Sequence, residues 1–281
     1  MTRIEAAELS LQSADGTALF ARRWRPAAAI RSEVLLVHGL GEHGGRYQGV
    51  AQHLVAAGHG VTAVDLRGHG RSAGRRGHVR DFDEYVADVV AAADGIGAVH
   101  VLGHSMGGLV AVRLVLAQPA RILSVVLSAP FFGIAEPPPP WFDRGGRLLA
   151  RVWPTKAMRD TIDPERLTRD PAAARAYLDD PLVHSEVTLR WYLVAMAAIQ
   201  DTLARAVDGT APLLLLLPGE DRVVDRAASV RLVARWRGPT EVRRWPPARH
   251  ELFHEVQPDR TEALDATRDW FARHEDAAGL P

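Results

Sequence analysis

Short apolar runs alternate with amphipathic segments along most of the chain. Residues 7–12 and 18–24 alternate apolar and polar positions around the turn residues Asp15 and Gly16, a pattern that is typical of a β-hairpin. The strands predicted after this hairpin are 33–37, 60–64, 98–103, 122–128, 213–217 and 240–245, and all but the last are apolar runs. Helical periodicity predicts helices near 46–57, 82–94, 105–117 and 226–236, and a closing helix that ends near residue 273. Strands that alternate with helices predict an α/β fold with a mostly parallel central sheet covered by helices on both faces.

The alternation is interrupted once, after residue 130. About eighty residues separate two successive apolar runs, which is too long for a structureless connection in a compact domain. We therefore predict a core formed by residues 1–130 and 211–281, with residues 131–210 inserted between its two parts as a helical cap. The insertion starts with four prolines, Pro137 to Pro140, which favour a stiff extended exit from the core.

One long helix is predicted inside the insertion, with a length of about 18 residues. Its apolar positions at a spacing of three to four are Leu189, Tyr192, Leu193, Met196, Ile199 and Leu203. The opposite side has few polar residues as well, because it carries Trp191, Val194 and Ala195. Two interpretations stay open: a helix that packs against protein on both sides, or a lid that turns one apolar face to the core and the other to a pocket.

The composition excludes several classes of function. The 281 residues contain 34 Lys and Arg and 34 Asp and Glu, so the formal net charge is zero and no nucleic-acid partner is expected. No cysteine is present, which excludes disulfides and thiolate chemistry, and no set of histidines and acids has the local spacing of a metal site. The N-terminal residues lack the apolar centre of a signal peptide, and no run is long enough for a spanning helix. These features predict a soluble cytoplasmic protein without a metal.

The residues around Ser105 indicate a nucleophile elbow. Gly103, Ser105 and Gly107 form a Gly-x-Ser-x-Gly sequence that follows an apolar strand and precedes an apolar helix. A sharp turn between strand and helix exposes the serine hydroxyl to a base, and a side chain at either glycine would collide with nearby backbone. A glycine-rich turn without chemistry is the competing interpretation, but the flanking elements favour the elbow.

Two later loops carry the partners that a serine nucleophile needs. In the α/β-hydrolase fold the order is serine, acid, histidine, and Asp221 and His250 follow the strands 213–217 and 240–245 in that order. Asp225 shares the loop with Asp221, but it directly precedes a helix and suits the role of N-cap better. His254 is placed within a helical turn and is expected to pack or to bond a neighbour.

Attack on an acyl group places negative charge on oxygen, which two backbone amides can stabilise. The elbow geometry supplies the amide of Met106, and the loop after strand 33–37 points to the amide of Leu40. His38 in this loop is expected to hold the loop by hydrogen bonds. The segment 65–72 looks like a phosphate-binding loop but lacks its glycine spacing, so we interpret it as a hydrogen-bonded turn that braces the active-site loops.

Several sequence blocks together resemble one known family. The blocks are 38–47 (HGLGEHGGRY), 65–72 (DLRGHGRS), 103–108 (GHSMGG), 180–182 (DPL), 219–224 (GEDRVV) and 250–255 (HELFHE). They resemble the monoacylglycerol lipase and lysophospholipase branch of the α/β-hydrolases, and the likeness spans nearly the whole chain. The resemblance implies a serine hydrolase of single-chain acyl esters with a cap over an apolar tunnel. It implies Ser105, Asp221 and His250 as the catalytic triad, Leu40 and Met106 as oxyanion donors, and no cofactor.

Other functions are compatible with the same motifs. A short-chain carboxylesterase, a thioesterase or a proline iminopeptidase keeps the same triad, and a non-catalytic binding protein keeps the fold. We also hypothesise that the cap makes transient contact with a membrane or micelle. Its aromatic and aliphatic residues for this contact are Trp141, Phe142, Leu148, Leu149 and Trp153. The sequence does not determine the oligomeric state.

Overall fold

The structure is a computed structural model that describes residues 4–137, 152–159 and 163–275. Its strands are β1 (Ile4–Gln12), β2 (Ala18–Pro26), β3 (Glu33–Val37), β4 (Gly60–Asp65), β5 (Val99–His104), β6 (Ile122–Ser128), β7 (Ala157–Arg159), β8 (Glu186–Thr188), β9 (Leu213–Pro218) and β10 (Thr240–Trp245). Its helices are α1 (Gln48–Ala56), α2 (Asp83–Ala92), α3 (Met106–Ala117), α4 (Pro171–Asp179), α5 (Leu189–Ala204), α6 (Arg226–Arg235) and α7 (Asp259–Arg273).

The central sheet has eight strands in the order β1-β2-β4-β3-β5-β6-β9-β10. The hairpin β1-β2 is antiparallel and β2 runs antiparallel to β4, whereas every other neighbouring pair in this sheet is parallel. The α/β prediction with a mostly parallel sheet is therefore confirmed. Because parallel strands place their carboxyl ends at one edge, the loops after β3, β5, β9 and β10 open on the same rim.

Alternate residues of the central strands enter two separate apolar cores. Leu35 and Val37 of β3 pack on one face of the sheet, and Val34 and Leu36 pack on the other. Helices α2, α3, α5 and α6 cover the first face, and α1 and α7 cover the second. This two-sided burial explains why the strands read as continuous apolar runs in the sequence.

The segment between β6 and β9 contains β7, α4, β8 and α5, and β7 and β8 form a separate antiparallel pair. Helix α5 has 16 residues, close to the expected 18. Leu189 and Ile199 of the predicted apolar stripe are buried, and so are Trp191, Ala195 and Ala198, while Tyr192 and Met196 are half-buried. A helix with apolar residues on more than one side does not reveal from sequence which of them face the core. Residues Pro138, Pro139 and Pro140 of the proline run lie outside the described residues.

Candidate active site

Ser105 occupies the sharp turn between β5 and α3. Its backbone has φ 51° and ψ −119°, a conformation that costs a non-glycine residue free energy and persists only where surrounding contacts enforce it. The Ser105 amide donates to the Ser128 carbonyl of β6 over 3.0 Å, and the Gly108 amide donates to the Ser105 carbonyl over 2.9 Å. These contacts hold the serine in its strained position at the end of the strand.

The two glycines of the elbow are required by space. A Cβ on Gly103 would lie 2.4 Å from the Gly107 carbonyl oxygen, and a Cβ on Gly107 would lie 2.1 Å from the Val37 carbonyl oxygen. The predicted collisions with backbone are therefore present. The strained dihedrals, however, belong to Ser105 and not to either glycine, because neither glycine has a positive φ.

Asp221 and His250 meet at the carboxyl ends of β9 and β10. The Nδ1 atom of His250 lies 2.8 Å from Oδ2 of Asp221, and both side chains are buried. The other carboxylate oxygen of Asp221 accepts from the amides of Val223 at 2.8 Å and Val224 at 3.1 Å. These bonds fix the carboxylate so that it in turn orients the imidazole. The ring of His104, the residue before Ser105, lies 4.8 Å from the His250 ring, so His250 is next to the elbow.

The two alternative candidates for the acid and the base, Asp225 and His254, make other contacts. Asp225 caps the N-terminus of α6 by accepting from the amides of Ala227 and Ala228, as expected for an N-cap. His254 lies in a short 3-10 turn and its Nε2 atom is hydrogen-bonded to the Arg46 carbonyl at 3.1 Å. Neither side chain takes part in the Asp221–His250 pair.

Burial and the ion pair with Asp221 shift the pKa of His250 in opposite directions. Burial alone would lower the pKa of His250, but the Asp221 carboxylate outweighs it and raises that pKa above its ordinary value. Burial would likewise raise the pKa of Asp221, yet the His250 ring and the two backbone amides hold it below its usual range. Asp221 is therefore an anion at neutral pH, and it stabilises a positive charge on His250.

The two proposed amide donors are Met106, the residue after the serine, and Leu40, whose loop approaches the serine at Gly39. Met106 is the first residue of α3, and the first amides of a helix have no acceptor within the helix. Leu40 follows Gly39, where an added Cβ would lie 3.3 Å from the Ser105 Cβ. Within the described residues, no backbone group accepts from the Leu40 amide. The role of both amides stays a prediction that this placement supports.

His38 and the turn after β4 brace the loop that carries Leu40. His38 is bonded through Nδ1 to the Gly39 carbonyl at 2.7 Å, and its Nε2 accepts from the Leu66 amide at 3.0 Å. Asp65 accepts from the amides of Gly44 and Arg71, both at 2.9 Å. The interpretation of segment 65–72 as a bracing turn fits these bonds.

A buried charged cluster lies beside His250, and the sequence reasoning assigned it no role. Glu42 and Glu251 are both ion-paired with Arg46, and the hydroxyl of Tyr47 donates to Glu42 at 2.7 Å. Burial alone would raise the pKa of Glu42, but Arg46 and His104 lower it to about 2. These residues lie in the blocks 38–47 and 250–255, which are the signal that could have identified them.

The inserted segment touches the loops of the site directly. The His184 amide donates to the Gly41 carbonyl at 2.8 Å, and His43 Nε2 is bonded to Asp180 Oδ2 at 2.9 Å. The Thr188 amide donates to the Gly77 carbonyl at 2.9 Å. The insertion therefore contacts the loop after β3 and the loop that carries Gly77.

Comparison with known proteins gives one consistent result. The family model described as serine aminopeptidase, S33, matches residues 28–257. The chain is 34% identical to the monoacylglycerol lipase of Mycolicibacterium smegmatis over 89% of this chain and 91% of that protein. It is 30% identical to phospholipase YtpA of Bacillus subtilis over 87% of this chain and 95% of that protein.

Among solved structures, the monoacylglycerol lipase of Paleococcus ferrophilus matches with a TM-score of 0.83 and 28% identity, covering 96% of this chain and 99% of that one. The resemblance that the sequence blocks carry is thus confirmed. The family match covers most of the chain and includes the elbow and the loops of Asp221 and His250. The chain therefore belongs to the S33 serine aminopeptidase family of α/β-hydrolases.

Proposed function

We propose that the protein hydrolyses carboxylic esters of single-chain lipids through an acyl-enzyme on Ser105. The observation that carries the proposal is the 2.8 Å bond between His250 and Asp221 beside the strained elbow. Similar proteins named monoacylglycerol lipase and phospholipase support a lipid ester as the substrate. Monoacylglycerols and lysophospholipids are the substrate classes that we propose first.

In the first step, Ser105 attacks the ester carbonyl while His250 accepts its proton through Nε2. His250 has Nδ1 engaged by Asp221, which fixes the tautomer and leaves Nε2 free to act as the base. The negative charge that develops on the carbonyl oxygen is stabilised by the amides of Leu40 and Met106. Each such donor contributes about 3–4 kcal/mol to the transition state.

In the second step, the alcohol leaves with the proton from His250 and an acyl-Ser105 ester remains. Water then enters, gives its proton to His250 and attacks the acyl carbonyl, and the serine recovers its proton as the fatty acid leaves. The protons pass between Ser105, His250, the leaving alcohol and the attacking water. The burial of His250 and Asp221 excludes water from their bond and strengthens it.

Apolar side chains next to Ser105 support an acyl chain as the ligand. The Phe131 amide donates to the Ser105 carbonyl at 2.9 Å, so this residue is adjacent to the elbow. Its ring stacks on Trp191 of α5 at 6.2 Å between centroids and an angle of 16°. We propose that Phe131, Trp191 and the half-buried Leu40 form part of the wall against which the acyl chain packs.

We also propose that residues 131–210 act as a cap over this wall. The contacts of Asp180 and His184 with the loop after β3 support that role. Membrane contact through the cap stays a proposal: Trp153 is 63% exposed and Val152 is 71% exposed, while Trp141, Phe142, Leu148 and Leu149 lie outside the described residues. Within the part of the chain that the structure describes, no helix has both the length and the hydropathy to cross a bilayer. A cytoplasmic location stays a prediction.

Two measurements test the proposed function. A fluorophosphonate probe reacts only with an activated serine, so it should label the wild type and fail to label Ser105→Ala. Hydrolysis rates should then be compared for monoacylglycerols, lysophospholipids, thioesters and p-nitrophenyl esters of increasing chain length. Highest turnover on short-chain esters or thioesters would identify those compounds, and not single-chain lipids, as the substrate class. An unlabelled, inactive wild type would indicate a binding protein.

A further inference from the structure

Arg46 is almost completely removed from water, although arginine rarely is. Its side chain is 8% exposed and is covered by the ring of Tyr177 of α4, 4.8 Å from the guanidinium carbon. The guanidinium donates to both oxygens of Glu251, from Nη1 at 2.8 Å and from Nη2 at 2.7 Å. The Nη1 atom also donates to Glu42. One cation therefore joins two buried carboxylates that lie 209 positions apart in the chain (251 − 42 = 209).

Glu42 belongs to the loop that carries Leu40. Its Oε1 atom accepts from the Gly39 amide at 2.6 Å and from the Tyr47 hydroxyl at 2.7 Å. The Gly39 bond fixes the His38–Gly39 peptide, which is one peptide before the one that carries the Leu40 amide. The carboxylate of Glu42 thus sets the position of the loop whose amide is proposed to stabilise the oxyanion.

Glu251 is the neighbour of His250 in the chain. Its amide donates to the Leu167 carbonyl at 2.8 Å, and its carboxylate lies 3.3 Å from Nδ1 of His254. These contacts limit the movement of the loop that carries His250. The bidentate pair with Arg46 connects this loop to the loop of Glu42.

We propose that Arg46 is a positioning residue, which fixes the loop of Leu40 relative to the loop of His250 through its bonds with Glu42 and Glu251. The inference rests on the proposed function. Arg46 touches none of Ser105, Asp221 and His250, so it acts through its two carboxylates. A displacement of about 1 Å between a base and a reacting group can lower a rate about 100-fold, so the distance between these two loops affects catalysis.

A lysine cannot replace Arg46 fully. The planar guanidinium binds both oxygens of Glu251 and one of Glu42 at once, whereas an ammonium is a point charge that lacks this fork. Removal of the cation would leave two buried carboxylates facing each other without a counter-ion. This loss of positive charge raises the pKa of the nearby His250 imidazole. The titratable and charged groups around His250 are Asp221, Glu42, Glu251, Arg46, His104 and His254.

The test compares Arg46→Met and Arg46→Lys with Arg113→Met. Arg113 is a suitable control because it also holds two carboxylates, those of Asp83 and Asp201, and lies about two turns along α3 from Ser105. The measurements are kcat and KM on a p-nitrophenyl ester, thermal unfolding, the pH profile of kcat/KM, and an NMR titration of the His250 ring. The NMR titration requires no turnover, so it tests the role of Arg46 even if the proposed function is wrong.

We expect Arg46→Met to lower kcat about 10- to 100-fold with KM unchanged within about twofold, and to raise the pH at which His250 titrates. Arg46→Lys should restore the titration and only part of kcat. Arg113→Met should lower the thermal midpoint with kcat and the titration unchanged. If both Arg46 variants are folded and match Arg113→Met in kcat and titration, the inference is wrong. If Arg46→Met does not fold, a wild-type kcat in Arg46→Lys overturns it equally.

Discussion

His250 lies 2.8 Å from Asp221, and the bond joins two loops at the carboxyl ends of neighbouring parallel strands. Both side chains are buried, and the carboxylate is fixed further by the amides of Val223 and Val224. The bond gives the imidazole one tautomer and one orientation.

Asp221→Asn should lower kcat by the order of 10⁴-fold, because an amide in place of the carboxylate favours the wrong imidazole tautomer. Asp225→Asn is a matched control in the same loop. Asparagine caps a helix as well as aspartate does, so activity and stability should stay near those of the wild type. Steady-state kinetics on one ester measures both variants. Equal losses in the two variants would contradict the assignment of Asp221.

The pH dependence of activity should follow His250. Because its pKa is raised above 6.5, kcat/KM should fall on the acid side below that raised pKa, where the protonated ring cannot accept a proton from Ser105. The raised pKa also affects stability. The folded state binds the proton more tightly than the unfolded state, so the contribution is fully present below about pH 6.5. It is lost as pH rises through the folded pKa.

Kinetics and thermal unfolding measured from pH 5 to 9 check both effects together. An acid limb centred below pH 6.5 would contradict the direction of the shift. His250→Gln provides the control for stability, since its pH dependence should lack the contribution of this residue.

Ser105→Gly should unfold at a higher temperature than Ser105→Ala. Both variants remove the nucleophile, but alanine keeps the strained backbone at φ 51° whereas glycine adopts it without a Cβ. We expect a difference of about 1 kcal/mol, since the strain costs about 1–3 kcal/mol and glycine loses more entropy on folding. Chemical denaturation of both inactive proteins measures it. Equal stabilities would indicate that the turn holds no strain.

Gly107→Ala should destabilise the fold by about 3 kcal/mol, because its Cβ would lie 2.1 Å from the Val37 carbonyl oxygen and must displace backbone. Gly49→Ala in α1 is the control, since nothing lies within 4 Å of its Cβ. Gly49 lies in the first turn of α1, so that change should stabilise by no more than about 0.5–1 kcal/mol, the value for a helix interior. Denaturation midpoints distinguish the two. A tolerated Gly107→Ala would mean that α3 can move away from β3 freely.

Vesicle binding should depend on the exposed pair Val152 and Trp153. Replacing both with serine should reduce cosedimentation with phosphatidylcholine vesicles about tenfold, since burying one large apolar side chain is worth about 1.5–3 kcal/mol. Leu178→Ser is the control, because Leu178 is 62% exposed on α4. Equal binding of wild type and the double variant would exclude this surface as the membrane contact.

Local patterns were sufficient wherever the physical cause is local. The two-sided burial of the central strands produces continuous apolar runs, and Gly103 and Gly107 mark a turn that admits no side chain. The N-cap role of Asp225 could likewise be predicted, because an N-cap depends on the residues next to it in the chain. The order of Ser105, Asp221 and His250 followed from the fold class, since loops after parallel strands share one rim.

What depends on distant contacts required the tertiary structure. The buried residues of α5 could not be identified from the sequence, because apolar residues occur on more than one side of the helix and the neighbouring elements decide the orientation. The pairing of Arg46 with Glu42 and Glu251 is similar, since the sequence shows three charged residues without their burial or their mutual distances. The sequence by itself determined the elements of the core, their order and the candidate chemistry, because these reflect local periodicity, whereas α4, β7 and β8 of the insertion were not predicted. Tertiary structure decided the helix orientation and the buried ion pairs, because both arise from packing between distant segments.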